Sequence, residues 1–195
     1  MKKNWQALIG NDLVDLRQAA ADSNWQRKGY LSKICTPREQ QMILDASVPA
    51  VMLWLIWTMK EASYKIQNRM TGVRNYQPAG LSCSNLKLKG NIATGQVTCG
   101  QDMFLIRSEI SDHLIHSTAV LRMEDFEDLR LHYLDYAKSY TQTFNLSSAN
   151  YRLSRTPSGL PAMTSTLTGK SHAVSVSHHG RYLAVIYSGS LLLTD

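Results

Sequence analysis

The feature that most constrains this chain is one helix-like segment, 49–70, apolar in its first half and charged in its second. Residues 47–56 read SVPAVMLWLI and residues 57–66 read WTMKEASYKI. Pro49 suits the first turn of a helix, where its missing N–H is no loss, and Thr71-Gly72 is a stop. Met52, Leu55, Met59, Ala62 and Ile66 recur at steps of three and four, the spacing of one buried stripe. Trp57, Glu61 and Lys65 recur at steps of four and share a different face. Such a helix must lay its stripe on another layer of structure while presenting an acid and a base beside it.

The flanking sequence supplies that layer. LIGNDLVDL (8–16) reads as a short strand ending in acids, and LRQAAADSNWQRK (16–28) as a helix on composition. Thr36-Pro37-Arg38-Glu39 is an N-cap with proline at the first helical position, opening a helix through about Ala46. From 80 to 121 short alternating segments punctuated by Gly, Asn and Asp read as an antiparallel meander. EDFEDLRLHYLDYAKSYTQTF (124–144) reads as an amphipathic helix with acids in its first turn. A strand near 150–154, a turn at TPSGLP (156–161) and a hairpin of HAVSVSHH and RYLAVIYS follow. The order predicts an α+β fold of two related half-domains, 1–122 and 123–195, with antiparallel sheets and packed helices.

Bulk properties narrow the function. The net charge of +6 and pI near 9.3 favour an anionic partner. The basic residues form no run and no interleaving with aromatics, so a nucleic-acid groove is not expected. Cys35, Cys83 and Cys99 have no metal-ligand spacing and make an odd count, which fits a reducing cytoplasm. Lys2 and Lys3 are not followed by a signal core, because Asn11, Asp12 and Asp15 interrupt it. The apolar run 48–57 is too short to span a bilayer. A soluble, cytoplasmic protein is expected.

Three motifs remain. Taken singly, Glu61 and Lys65 read as a surface ion pair, Asp12 as a turn residue beside Gly10, and His178 as an ordinary hairpin histidine. Taken together they have a chemistry. Mg²⁺ takes one or two carboxylates and completes its shell with water and substrate phosphates. A carboxylate at a strand end and another on a helix supply that, with lysines at 60 and 65 to neutralise phosphates and a histidine to hydrogen-bond them.

These residues resemble the motifs of the 4′-phosphopantetheinyl transferase superfamily. Gly10-Asn11-Asp12 is similar to its Gly-x-Asp. Trp57-Thr58-Met59-Lys60-Glu61-Ala62-Ser63-Tyr64-Lys65 is similar to its Trp-(Ala/Ser/Thr)-x-Lys-Glu-(Ala/Ser)-x-x-Lys. Gly159-Leu160-Pro161 and Ser175-Val176-Ser177-His178 resemble its Gly-Lys-Pro and Ser-x-Ser-His, and Thr36 to Glu39 its Thr-x-x-Glu. The Lys-Glu motif is the specific one. The resemblance implies that the 4′-phosphopantetheine arm of coenzyme A moves to a serine of an acidic acyl or peptidyl carrier protein, releasing 3′,5′-ADP. It implies Asp12 and Glu61 as Mg²⁺ ligands, and Lys60, Lys65, Ser177 and His178 as coenzyme A contacts. Glu61, Lys65 and a water on the metal are open alternatives for taking the serine proton. A non-catalytic relative that binds coenzyme A or a carrier is the alternative.

The departures are informative. Leu160 stands where the family has lysine, leaving Arg152, Arg155 and Lys170 as nearby substitutes. Val14 stands where the larger, two-half enzymes have a second acid, and alternation turns Asp15 to the opposite face from Asp12. Ser-x-Ser-His comes last, as in the small trimeric synthases, yet more than a hundred residues separate it from Lys65. A permuted chain is therefore expected, its site between its halves and the monomer favoured.

Overall fold

The computed structural model describes residues 8–189; Lys2 and Lys3 lie outside them. Strand β1 (Ile9–Asp15) leads into helices α1 (Leu16–Asp22), α2 (Tyr30–Ile34), α3 (Pro37–Leu44) and α4 (Pro49–Thr71). Strands β2 (Leu81–Lys89), β3 (Ile92–Cys99), β4 (Asp102–Ile110) and β5 (Leu114–Val120) form the expected meander. The last strand returns beside the first, giving a five-stranded antiparallel sheet in the order β1-β5-β4-β3-β2.

Helix α4 lies across this sheet. Pro49 occupies its first turn, and Gly72 ends it in the left-handed region at φ 71°. Leu53, Leu55, Ile56, Met59, Ala62 and Ile66 are all fully buried against the sheet. Burial of each large side chain contributes about 1.5–3 kcal/mol. Of the predicted stripe, Met52 alone is only partly covered. The closest approach is at Gly10, where a β-carbon would meet the carbonyl oxygen of Ala62 at 2.0 Å. Only glycine lets β1 pass this near the helix.

The second part of the chain begins with a 3₁₀ turn at Met123–Phe126. Strand β6 (Leu129–Asp135), helix α5 (Tyr140–Ser147), and strands β7 (Tyr151–Arg155), β8 (Pro161–Ser165), β9 (Ser171–His172), β10 (Val174–His179) and β11 (Tyr182–Ser188) follow. They make two three-stranded sheets, β10-β11-β6 and β7-β8-β9. Phe144 of α5 packs on Leu153, Met163, Leu183 and Tyr187 between them. Here too the first strand, β6, pairs antiparallel with the last, β11. The two parts meet where β1 lies against β10 and β11, and where Ile9, Val120, Phe126 and Ile186 share a small core.

The α+β class with antiparallel sheets is as read from sequence, and two elements need correcting. The helix expected over 124–144 is instead a turn, a strand and a two-turn helix. Leu129, Leu131 and Tyr133 also alternate, and pairing along β11 gives their backbone a full ladder, which outweighs the helical pattern. The helix expected over 16–28 stops at Asp22, capped at its start by Asp15, whose carboxylate accepts from the amides of Arg17 and Gln18.

Candidate active site

Between the two parts lies a cleft of about 520 Å³, lined by Asp12 to Val14 of β1, Trp54, Trp57, Glu61 and Lys65 of α4, and 176–179 of β10. The steps of four along α4 turn Trp57, Glu61 and Lys65 into it, and Trp54 adds a second indole one turn earlier. Asp12 comes within reach because Gly10 lets β1 press on the helix two residues before it.

Lys65 ties the site together. Its Nζ donates to the Asn11 carbonyl at 2.6 Å, to Asp12 Oδ1 at 3.0 Å and, at the long limit, to the Val176 carbonyl at 3.4 Å. Burial raises the Asp12 carboxyl above its usual range, against the pull of Lys65, although its side chain keeps 15% exposure to the cleft. Glu61 is pushed up to about 7, first by burial and then by the Asp12 charge, with Lys65 acting in opposition. The buried Tyr76 hydroxyl faces Glu61 without a hydrogen bond of ordinary geometry. Tyr76 is itself held by Trp57, edge-on at 5.8 Å, and by Tyr64 at 4.7 Å. Two desolvated carboxylates that repel one another across an open cleft are the donor set a hard divalent cation takes, with water and phosphate completing its shell. The residues present fit Mg²⁺.

On the opposite wall His178 stacks on Tyr136, ring centroids 4.3 Å apart and planes 18° from parallel. Burial, then Lys65, lowers its pKa, and Arg155 contributes in the same direction, so a guanidinium stands within electrostatic reach of the histidine. Arg155 donates to the Gly159 carbonyl at 2.9 Å and to the Tyr140 hydroxyl at 2.7 Å, and Arg74 donates to the Ser158 carbonyl. Two arginines thus bracket the turn on which Leu160 replaces the lysine of the resemblance.

Two predicted contacts point their polar groups away from the cleft. Lys60 is fully buried: its Nζ donates to Glu39 Oε2 at 2.6 Å and to the carbonyls of Ile34 and Pro78, each at 2.9 Å. One residue along a helix is a turn of about 100°, which carries Lys60 away from the face of Glu61. Ser177 borders the cleft but is buried, and its hydroxyl accepts from the Asn11 side chain at 2.9 Å. Asp15 also faces away, as alternation requires, and pairs with Arg181 at 3.7 Å. Tyr76 reaches the site from a loop, and the local sequence carries no signal for its role; Arg155 is the one of the three nearby substitutes for the missing lysine that stands within electrostatic reach of His178.

A family model described as the 4′-phosphopantetheinyl transferase superfamily matches residues 8–111, more than half of the chain. The chain belongs to this superfamily. No curated protein matches it. The match covers the transferase motifs on β1 and α4, including Asp12, Glu61 and Lys65, and ends before β10, so His178 enters the site on geometry alone. The family works on coenzyme A and a carrier protein. Among the described residues no helix is long and apolar enough to cross a membrane.

Proposed function

We propose that the chain transfers 4′-phosphopantetheine from coenzyme A to a serine of an acidic acyl or peptidyl carrier protein, as a Mg²⁺-dependent, cytoplasmic holo-acyl-carrier-protein synthase. The observation that carries this reading is the convergence of Asp12, Glu61 and Lys65 with His178 on one cleft. The shared strand logic, first strand beside last in both parts, supports two related half-domains joined near residue 122, with the site between them in a single chain.

In the reaction the carrier's serine oxygen bonds to the β-phosphorus as the bond from that phosphorus to the bridging oxygen breaks, and 3′,5′-ADP leaves with that oxygen. Asp12 and Glu61 would hold Mg²⁺, which supplies charge neutralisation at the diphosphate. Lys65 is already paired with Asp12, so we assign it to the phosphates and not to proton removal. Glu61, on the cleft beside Asp12, is assigned to take the serine proton. His178 on the far wall, with Arg155 within electrostatic reach of it, is assigned to the nucleotide phosphates. Trp54 and Trp57 exclude water from the reacting end. The non-catalytic alternative draws on Leu160, but the two arginines beside that turn keep its positive charge.

The test is transfer to a carrier protein, read by mass, for the wild type, Asp12→Ala and Glu61→Gln. Transfer should be present in the first and lost in both variants, with the thermal midpoints little changed. Coenzyme A binding without transfer by the wild type to any of several carriers would give the non-catalytic reading instead.

A further inference from the structure

Asn11, the middle residue of Gly10-Asn11-Asp12, is fully buried and faces away from the cleft. Its backbone N–H donates to Ser175 Oγ at 3.0 Å. Its Nδ2 donates to Ser177 Oγ at 2.9 Å and lies 3.1 Å from His116 Nε2, with the Ala184 carbonyl farther off at 3.5 Å. An amide nitrogen has two hydrogens, so Ser177 and His116 take them. His116 then accepts at Nε2 and donates from Nδ1 to the Tyr133 hydroxyl, 2.8 Å away. The other amide orientation would set Oδ1 against the Ala184 carbonyl, so the orientation that leaves Oδ1 without a partner is the better one. Asn11 is thus bonded to β10 and, through His116, to β6, and its own carbonyl accepts from Lys65.

Strand alternation gives this a consequence for the site. Ser175 and Ser177 point to one side of β10 and face Asn11, while His178 points to the other and lines the cleft. We infer that Asn11 is a positioning residue that docks β10 on β1 through Ser175 and Ser177, setting the distance across which His178 and the Asp12–Glu61–Lys65 group grip one ligand. The serines of Ser-x-Ser-His serve the docking, their hydroxyls turned to Asn11. The inference rests on the functional reading above, because it takes coenzyme A as the molecule spanning the cleft.

Two side chains that do not touch affect affinity independently unless one acts through the other. The experiment is therefore a double-mutant cycle on coenzyme A affinity with the full chain: wild type, Asn11→Leu, His178→Ala and the double variant, with Mn²⁺ affinity followed by electron paramagnetic resonance. Leucine keeps the branching of asparagine and removes its hydrogen bonds at a larger volume, and Asn11→Ser is the second variant should leucine not fold. Asn11→Leu should weaken coenzyme A by about tenfold and leave Mn²⁺ affinity within about twofold, since both carboxylates belong to β1 and α4. Removing His178 from the Asn11→Leu background should then cost little more. Full additivity of the two losses, or coenzyme A affinity unchanged in both Asn11 variants, overturns the inference. A wild type that binds Mn²⁺ but no coenzyme A overturns the functional reading, and the inference with it.

Discussion

Helix α4 carries two lysines five residues apart, each paired with a carboxylate, and the two pairs live in different worlds. Lys60 and Glu39 are sealed, with side-chain exposures of 1% and 0%. Three acceptors meet the three hydrogens of Lys60, and Glu39 also accepts from the amides of Thr36 and Cys83. The pair ties the end of α2, the start of α3, α4 and β2 into one knot. Lys65 and Asp12 are exposed by 27% and 15% on the wall of a cleft. Neighbouring Lys60 and Glu61 are written together in the motif, yet one holds the fold and the other is placed for chemistry. A buried pair cannot change partners without unfolding its surroundings; a pair beside a cleft can.

The largest expected effect breaks the sealed pair. Lys60→Met leaves the Glu39 carboxylate buried without its cation, at a cost of about 3–5 kcal/mol. That is a large share of the stability of an ordinary domain, typically about 5–15 kcal/mol. Lys65→Met, with water near its ammonium, should cost about 1 kcal/mol or less. Urea denaturation of the two variants measures the difference, and equal losses would end the distinction between the pairs.

What could be read from sequence follows the same division between local and distant. The stripe and flank of α4, the N-cap at Thr36, the meander and the final hairpin are local signals, and the structure has each at those residues. The segment 124–144 carries two periods at once, and only its partner β11, fifty residues on, decides between them. The resemblance implies a phosphate contact for Lys60, and spacing separates it from the face of Glu61 without saying which face is buried. Ser177 was grouped with His178, although alternation already sets them on opposite sides of a strand. Tyr76 depends wholly on long-range packing, which leaves no local trace, and the same packing selects Arg155 from the three basic residues near Leu160.

The next effect concerns acid. Burial, and then the charge of Lys65, lowers the His116 pKa from 6.5 to about 4. Between those values the unfolded chain binds a proton that the folded chain refuses, so stability is full above the upper value and falls as pH drops toward the lower. The loss amounts to about 3 kcal/mol. Denaturation midpoints across this window should fall less steeply in His116→Gln. The slope should also ease in Lys65→Met, because the cleft lysine is one cause of the shift. An identical slope in His116→Gln would mean other groups govern the acid limb.

The smallest effect has the most telling sign. In the free chain the Lys65 ammonium sits 3.0 Å from Asp12, where it neutralises a carboxylate that a divalent cation would need. Binding must therefore loosen this contact or act against its charge. At about 4 Å in water-like surroundings one charge is worth about 1 kcal/mol to another, so Lys65→Met should tighten Mn²⁺ binding by about fivefold when no coenzyme A is present. The measurement belongs in mildly alkaline buffer. Glu61 is raised to about 7 in the wild type, and loss of Lys65 removes an influence that lowers it, so only alkaline conditions compare two ionised sites. With coenzyme A present the sign should reverse, because the phosphates then lose a lysine. Tightening in the free chain and weakening in the ternary complex would make Lys65 an exchangeable counter-ion. Weaker Mn²⁺ binding in both states would make it a prop for Asp12, and the contrast with the sealed lysine would then be one of exposure alone.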